Sequence, residues 1–315
     1  MKCLVTGCAG FIGSHLAEKL LAEGYQVVGL DCFTDFYPRW IKQKNLSSLL
    51  HHCHFQFIED DLNQVNLKKI LEDIDFIFHL AAQAGVRTSW GKNFKDYLRN
   101  NIQATQRLLE AVKNKKIEKL IFASSSSVYG LSPFFPMRET GPVQPISPYG
   151  VTKLAAEQLC FLYFKNYGLP TISLRFFTVY GPRQRPDMAF HKFLLALLKD
   201  EPITLYGDGH QTRDFTFIDD IIEASLLAMK RGKPGEVYNI GGGHQKELAE
   251  VIEIMERITN RKARITWVET QKGDVLHTLA SIEKAQHELG YQPKTNLENG
   301  LRQQWVWLKE LYGQN

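Results

Sequence analysis

A tyrosine and a lysine stand four residues apart in the segment SPYGVTK at positions 147–153. On a helix this spacing puts the two side chains on one face, about one turn apart. A free tyrosine has a pKa of about 10 and is a poor base at neutral pH, whereas a neighbouring ammonium favours the phenolate. We therefore expect Tyr149 and Lys153 to form an acid/base pair, with Lys153 bringing the pKa of Tyr149 toward the working range.

The N-terminus offers a place for an electron-accepting cofactor. Residues 1–6, MKCLVT, predict a buried strand, and GCAGFIG at 7–13 follows directly and opens a helix. Such a glycine-rich turn places a pyrophosphate on a helix N-terminus. Each motif alone is weak: Tyr-x-x-x-Lys is usually a solvated pair, and the glycine spacing is G-x-x-G-x-x-G rather than G-x-G-x-x-G.

Together, in this order and separation, the two motifs resemble the extended short-chain dehydrogenase/reductase family over nearly the whole chain. In that family Tyr-x-x-x-Lys is the acid/base pair and the glycine turn holds NAD. The resemblance therefore implies a tightly bound NAD that is regenerated in each turnover. The implied cofactor-binding residues are Gly7, Gly10, Phe11, Ile12, Gly13, Asp31, Asp61, Leu62, Leu80, Ala81, Ala82, Gln83, Asn100, Tyr149, Lys153 and Phe177.

The spacing of one acid supports this cofactor. Asp31 ends a predicted strand about 20 residues past the glycine turn, where an acid bonds the ribose hydroxyls of NAD and repels the extra phosphate of NADP. An ordinary loop acid is the alternative, and the spacing favours the cofactor role. In the family a pair such as Asp61-Leu62 contacts adenine. Of the two adjacent asparagines, we expect Asn100 to reach the cofactor and Asn101 to support helix packing.

The resemblance also implies the first chemical steps. Tyr149 takes the proton of the sugar 4-hydroxyl while NAD takes hydride from C4, Ser125 bonds the same oxygen, and Lys153 holds the ribose hydroxyls. Dehydratases carry Asp-Glu directly after the catalytic hydroxyl, and UDP-glucuronate decarboxylases carry Glu just before Val-Tyr-Gly. Here Ser126 and Ser127 occupy those positions. Epimerisation remains: the 4-keto sugar turns over and hydride returns to its other face.

The substrate prediction depends on RFFTVYGPRQRPDMA at 175–189, which resembles family members that convert UDP-glucuronate to UDP-galacturonate. Members acting on neutral UDP-galactose usually have asparagine where Thr178 stands and lack the RPDM run. A guanidinium such as that of Arg185 pairs bidentately with a carboxylate. Composition alone would make Arg185 a surface arginine of a polar loop, and the matched segment favours the carboxylate role.

Oxidation of glucuronate at C4 gives a β-keto acid, which loses CO2 when the C5–carboxylate bond stands perpendicular to the carbonyl plane. An epimerase must avoid that orientation. We expect Ser126, Ser127, Thr178 and Arg185 to hold the carboxylate near the plane. Arg185→Ala or Thr178→Ala should weaken UDP-glucuronate binding and release some UDP-pentose.

The nucleotide half of the substrate should bind farther along the chain. The run QTRDFTFIDD at 211–220 resembles the family segment in which an arginine meets the diphosphate, and we assign Arg213 that role. Arg87 either approaches the diphosphate or covers the cleft. The remaining predicted substrate contacts are Met188, Lys192, Thr204, Tyr206, Gln211 and Asp274.

These residues need an alternating α/β scaffold. Buried strands are predicted at 1–6, 27–31, 55–58, 75–80, 119–123 and 169–175, with helices between them. This alternation implies a Rossmann-type, doubly wound parallel sheet. We predict that residues 1–180 form the NAD-binding domain, that segments near 215–245 return to it, and that residues 181–315 mainly form a smaller UDP-sugar-binding domain.

Composition restricts the other function classes. The 315 residues are 44% hydrophobic and carry a net charge of only +4, so neither a basic nucleic-acid surface nor a membrane span of about 18 apolar residues is predicted. Five cysteines without C-x-x-C spacing favour reduced thiols and a cytoplasmic location. The run HHCH at 51–54 predicts a loop rather than a metal site.

Two questions stay open in the sequence. Apolar faces on the predicted helices 93–113 and 150–166 suggest a homodimer through a four-helix bundle, as in the family, although those faces could equally be core. Besides the epimerase, three functions remain: a UDP-glucose 4-epimerase, a UDP-glucuronate decarboxylase, and a non-catalytic NAD-binding regulator on the same scaffold.

Overall fold

The computed structural model describes residues 1–270 and 272–313, and its central element is a seven-stranded parallel sheet. The strands in chain order are β1 (Lys2–Thr6), β2 (Gln26–Asp31), β3 (Phe55–Glu59), β4 (Phe76–His79), β5 (Lys119–Ser125), β6 (Thr171–Phe176), β7 (Thr178–Tyr180), β8 (Ile203–Tyr206), β9 (Thr212–Phe217), β10 (Val237–Ile240), β11 (Gln245–Glu247) and β12 (Ile265–Val268).

Helices connect these strands and cover both faces of the sheet. They are α1 (Phe11–Ala22), α2 (Arg39–Leu46), α3 (Leu67–Ile70), α4 (Phe94–Tyr97), α5 (Ala104–Val112), α6 (Pro148–Tyr167), α7 (Ala189–Lys199), α8 (Ile218–Arg231), α9 (Leu248–Thr259), α10 (Glu283–Leu289) and α11 (Leu297–Tyr312). A π-helical turn, Leu98–Gln103, joins α4 to α5, so the helix predicted at 93–113 is interrupted.

The strand order of the large sheet is β10-β6-β5-β4-β1-β2-β3. The chain first builds outward from β1 through β2 and β3, then returns to the other side of β1 with β4. Ligands bind at such a switch point, outside the carboxyl ends of the strands. The predicted Rossmann-type α/β fold is confirmed.

Two small sheets follow the sixth strand. One has the order β11-β9-β7 and the other pairs β12 with β8. The strand β10 pairs in parallel with β6, so a segment near the predicted return at 215–245 does extend the large sheet. The proposed boundary at residue 180 stays a prediction, because one apolar core contains buried side chains from both sides of it.

A buried ionic network fixes α6 against the large sheet. Arg175 on β6 pairs with both carboxylate oxygens of Glu157 on α6, at 2.6 and 3.0 Å. The Glu157 carboxylate also accepts from the Ser124 hydroxyl of β5 at 2.6 Å, and Arg175 donates to the Tyr129 hydroxyl at 2.8 Å. The helix that carries the Tyr–Lys pair is therefore attached to two neighbouring strands by polar contacts as well as by packing.

Among the described residues, no helix combines the length and apolarity that crossing a bilayer requires.

Candidate active site

The glycine turn after β1 is shaped for close approach. Gly7 has φ +74°, and a Cβ there would lie 2.8 Å from the backbone nitrogen of Ala81. A Cβ on Gly13 would lie only 2.1 Å from the carbonyl oxygen of Gly7. Gly10 is the N-cap of α1, where no side chain caps the helix and no acid stands in the first turn. The turn and the uncapped helix start thus fit the diphosphate of a dinucleotide.

Asp31 ends β2 beside this turn. Its carboxylate accepts from the backbone nitrogens of Phe33 at 2.8 Å and of Ala9 at 3.1 Å. Burial raises the pKa of Asp31, while these backbone donors and the Lys42 ammonium oppose that rise. The carboxylate also faces the cavity, which fits hydroxyl groups of a ribose.

The next two strand ends complete this side of the cavity. Asp61 forms an ion pair with Arg99, a partner that the sequence did not reveal. After β4, the Gln83 backbone donates to Asn101 Oδ1 at 2.7 Å and accepts from Asn101 Nδ2 at 3.0 Å. Asn101 is buried, whereas its neighbour Asn100 faces the cavity. This placement matches the separate positions expected for the two asparagines; their roles stay predictions.

Tyr149 and Lys153 lie in the first turns of α6. Ser147 caps the helix by accepting from Gly150 N at 3.1 Å, and Pro148 occupies its first turn, a favoured position for proline. Ser125 ends the neighbouring strand β5 and accepts from Ser127 N at 3.1 Å. All three predicted catalytic side chains, those of Ser125, Tyr149 and Lys153, line the same cavity.

The electrostatics of the Tyr149 phenol differ from the prediction. Burial raises its pKa, and the Ser125 hydroxyl and the Arg185 guanidinium act in the opposite direction without reversing the shift. Burial also lowers the pKa of Lys153 to about 8, although Cys160 and Glu157 oppose that shift. The predicted net lowering of the Tyr149 pKa by Lys153 is therefore wrong for the protein alone, because desolvation of the phenol dominates.

Arg185, which lines the same cavity, is paired with an acid. Its Nε and Nη2 donate to the two carboxylate oxygens of Asp187 at 2.9 and 3.0 Å. Both side chains line the cavity, as do Ser126, Ser127 and Thr178. The carboxylate-binding residues predicted from the sequence thus lie together, with an acid among them that the sequence analysis did not assign.

A second ion pair also lines the cavity. Arg87 donates to both carboxylate oxygens of Asp274, at 2.7 Å in the shortest contact, and its guanidinium lies 3.9 Å from the ring centre of Tyr206. Gln211 donates to the Tyr206 carbonyl oxygen at 2.8 Å. Arg213 is not among the cavity-lining residues: its Nη1 donates to the Thr212 and Leu276 carbonyl oxygens at 2.9 and 2.8 Å.

All other predicted site residues line one cavity of about 630 Å³. Those expected to bind the cofactor are Gly7, Gly10, Phe11, Ile12, Gly13, Asp31, Asp61, Leu62, Leu80, Ala81, Ala82, Gln83, Asn100, Tyr149, Lys153 and Phe177. Those expected to bind substrate are Arg87, Ser125, Ser126, Ser127, Thr178, Arg185, Met188, Lys192, Thr204, Tyr206, Gln211 and Asp274.

Several lining residues were missed. Phe36 and Tyr37 come from the connection between β2 and α2, and Lys42 from α2 itself. The ring centre of Phe36 lies 6.0 Å from the guanidinium carbon of Arg185. Nothing in the local pattern of residues 32–53 predicts a contact with residue 185. In the sequence, Asp187 is the third residue of the RPDM run, and no pattern there assigns it a role of its own.

The chain is similar to known proteins over nearly its whole length. The family model described as GDP-mannose 4,6 dehydratase matches residues 4–304. The crystal structure of a UDP-glucuronic acid 4-epimerase from Bacillus cereus, in complex with UDP-glucuronic acid and NAD, is 48% identical, with a TM-score of 0.97 over 99% of this chain and 100% of that one.

Two curated relatives are similar over almost their whole length. A Bacillus subtilis protein named an uncharacterized UDP-glucose epimerase is 46% identical over 99% of both chains. A UDP-glucuronate 4-epimerase from Thermodesulfobacterium geofontis is 41% identical, covering 98% of this chain and 96% of its own. The chain therefore belongs to the GDP-mannose 4,6 dehydratase family of extended short-chain dehydrogenases/reductases.

Proposed function

We propose that this protein is an NAD-dependent UDP-glucuronate 4-epimerase, an isomerase that interconverts UDP-glucuronate and UDP-galacturonate. The observation that carries the proposal is one cavity that holds Ser125, Tyr149 and Lys153 beside Thr178 and Arg185. The residues expected to bind the 4-hydroxyl and those expected to bind the C6 carboxylate thus line the same cavity. The relatives named UDP-glucuronate 4-epimerase support the same assignment.

The glycine turn, Asp31 and Lys153 would hold the dinucleotide, in the order diphosphate, adenosine ribose and nicotinamide ribose. When bound, NAD supplies reversible two-electron oxidation, which converts the sugar C4 alcohol to a ketone and later restores it. Tyr149 takes the O4 proton in the first direction and returns it in the second. Ser125 would bind the same O4 oxygen and so keep it oriented toward the Tyr149 hydroxyl in both proton transfers.

The other groups of the site keep the sugar intact. Ser126 and Ser127 stand where family dehydratases carry Asp and Glu, so no carboxylate at these positions removes water across C5 and C6. Thr178 and Arg185 would fix the carboxylate near the plane of the C4 ketone, where CO2 loss is slow. Arg87 and Gln211, which line the same cavity, would receive the UDP half.

A single experiment tests the proposal. The purified protein is incubated with UDP-glucuronate without added NAD, and the sugar is identified by NMR. UDP-galacturonate is the expected product. A UDP-pentose as the main product would show a decarboxylase, and no conversion even after NAD is added would contradict the epimerase. In that case Tyr149→Phe would serve to test the remaining reading, an NAD-binding regulator, since a regulator would keep its cellular effect.

A second candidate is UDP-glucose 4-epimerase. The Arg185–Asp187 pair is neutral as a unit, so a neutral hydroxymethyl group meets no uncompensated charge there. The Bacillus subtilis relative is named an uncharacterized UDP-glucose epimerase, which points to the same neutral sugar. Conversion of UDP-glucose faster than UDP-glucuronate in the same assay would favour this second function.

The surface of α6 supports a homodimer through a four-helix bundle. Val151, Phe161 and Leu162 are 44–49% exposed although they are large and apolar. The proposed partner is a second copy of the chain. Light scattering should give about twice the 36.1 kDa of one chain, and Leu162→Lys should shift the mass toward the monomer.

All five cysteines are free thiols, which supports the proposed cytoplasmic location.

A further inference from the structure

The sugar end of the cavity contains a charge that the proposed mechanism does not use. Asp187 takes the Nε and Nη2 donors of Arg185 in a two-point contact, at 2.9 and 3.0 Å. Both side chains are partly buried, with 22% and 29% of the Arg185 and Asp187 side chains exposed. A guanidinium presents its donors in a rigid plane, so a two-point contact on one edge fixes the direction of the other donors.

This pairing changes what Arg185 can do. With its charge matched by Asp187, the guanidinium is a weaker attractor of anions than a lone arginine would be. Its Nη1 amino group remains to donate toward a ligand in a direction that Asp187 sets. An arginine held in this way orients a carboxylate more than it attracts one.

Orientation is the property on which the chemistry depends. In the 4-keto sugar the C5–C6 bond can break, its electron pair passing into a C4–C5 enolate while CO2 leaves, after which C5 takes a proton. That bond breaks when it stands perpendicular to the ketone. A guanidinium that rotates would let the carboxylate reach this angle, whereas a fixed one would not.

We propose that Asp187 is a positioning residue that acts through Arg185, holding the guanidinium in the orientation that keeps the substrate carboxylate in plane and so selects epimerisation over decarboxylation. The inference rests on the proposed function. It predicts a second effect as well, because Asp187 and Tyr149 line the same cavity and the Asp187 charge raises the pKa of Tyr149.

That second effect has a defined sign. The groups around the Tyr149 phenol are the Ser125 hydroxyl, Lys153 one turn along α6, the Tyr97 ring at 6.3 Å, and the Arg185–Asp187 pair. Burial raises the pKa of Tyr149; Arg185 lowers it and Asp187 raises it. Loss of the Asp187 charge alone should therefore lower the pKa of Tyr149 and move the acid limb of activity to lower pH.

Asp187→Asn tests the inference, since it keeps the side-chain shape but removes the charge and one of the two acceptors. The control is Asp200→Asn at the exposed end of α7, in a left-handed conformation that asparagine tolerates. The readouts are the share of UDP-pentose in the product, the KM for UDP-glucuronate, and the acid limb of the pH profile of kcat/KM. We expect about a tenfold larger pentose share, an unchanged or lower KM, and an acid limb at lower pH.

Two other results would overturn the inference that Asp187 positions Arg185. A product ratio and an acid limb equal to those of Asp200→Asn would overturn the inference, and so would a merely slower enzyme with the wild-type product ratio and profile. If Asp187→Asn does not fold by circular dichroism, Asp187→Ser is measured in the same way. Wild-type protein that converts no UDP-glucuronate would overturn the proposed function and the inference together, before any variant is compared.

Discussion

The Asn101 side chain satisfies both backbone groups of Gln83, accepting from its N–H at 2.7 Å and donating to its carbonyl oxygen at 3.0 Å. Asn101 also donates to the Thr152 hydroxyl at 2.9 Å, and that hydroxyl donates to the Tyr149 carbonyl oxygen at 2.8 Å. One amide therefore joins the loop after β4, which lines the cofactor side of the cavity, to the helical turn that carries Tyr149.

Asn101→Ala should leave the Gln83 N–H and carbonyl without these partners. An unsatisfied buried polar group costs about 1–3 kcal/mol, and because the Gln83 groups are only partly buried we expect the free energy of unfolding to fall by about 1 kcal/mol. NAD affinity should fall as well, because the loop against the cofactor loses its support. Urea unfolding and NAD titration check the two effects. Gln103→Ala, exposed in the same π-helical turn, is the control and should change neither.

Gly13→Ala should disrupt the cofactor turn itself. Its Cβ would lie 2.1 Å from the Gly7 carbonyl oxygen, a contact that only a shift of backbone can relieve. We expect NAD affinity to fall by at least about tenfold, since the helix start must withdraw from the diphosphate. At Gly10 the corresponding contact is 3.1 Å, so Gly10→Ala should weaken NAD binding less. Equal affinities in the two variants, measured by calorimetry, would contradict this steric account.

The buried Arg175–Glu157 pair predicts a large effect on stability. The exposed fractions of the two side chains are 5% and 1%, so removal of one charge leaves the other buried and unpaired. Loss of one partner of a buried ion pair costs about 3–5 kcal/mol. We expect the free energy of unfolding, obtained from urea unfolding curves, to fall by about that amount in Glu157→Gln and in Arg175→Met. The double variant should lose less than the sum of the two, because it leaves no unpaired charge. Additive losses would show that the two residues act independently.

Local patterns predicted the strands of the large sheet because each combines apolar residues with clear ends, although the third strand is only partly buried. The third strand was expected at 55–58 and spans Phe55–Glu59, and the helix expected at 150–166 spans Pro148–Tyr167. The strands Thr178–Tyr180, Thr212–Phe217 and Gln245–Glu247 were missed, since they are defined by pairing with one another rather than by a local pattern. The π-helical turn was missed because its extra residue leaves the apolar periodicity almost unchanged.

The candidate active site shows the same difference between residues in local motifs and residues brought together by the fold. Motif residues such as Gly13 and Lys153 could be found because their chemistry depends on short spacings. Partners brought together by the fold could not: Arg87 and Asp274 are 187 residues apart, and Asp61 and Arg99 are 38 apart. No local pattern encodes those contacts. The direction of the Tyr149 pKa also depends on burial, a property of the folded cavity rather than of the motif.

His79 gives the protein a predictable response to acid. Its Nδ1 lies 2.8 Å from the Thr6 hydroxyl, and its Nε2 lies 2.9 Å from the Thr105 hydroxyl. Because Thr105 donates its own proton to the Asn101 carbonyl oxygen at 2.6 Å, we assign Nε2 as the donor and Nδ1 as the acceptor of the neutral ring. Burial lowers the pKa of His79 from 6.5 to about 3.

The sign follows from proton uptake in the two states. Below pH 6.5 the unfolded chain protonates this histidine, whereas the folded protein does not until about pH 3. The free energy of unfolding should therefore fall as the pH decreases through this window, by about 1.4 kcal/mol per pH unit for this one group. Burial also lowers the pKa of His15, to about 4, which adds to the same slope.

His79→Gln isolates the effect, since glutamine can donate and accept but takes up no proton. Urea unfolding at pH 6.5, 5.5 and 4.5 should show a slope smaller by about one proton in the variant, whatever its stability at neutral pH. His52→Gln, at an exposed position, is the control and should keep the wild-type slope. Parallel loss of stability in wild type and His79→Gln would mean that the buried ring is not the group that limits stability in acid.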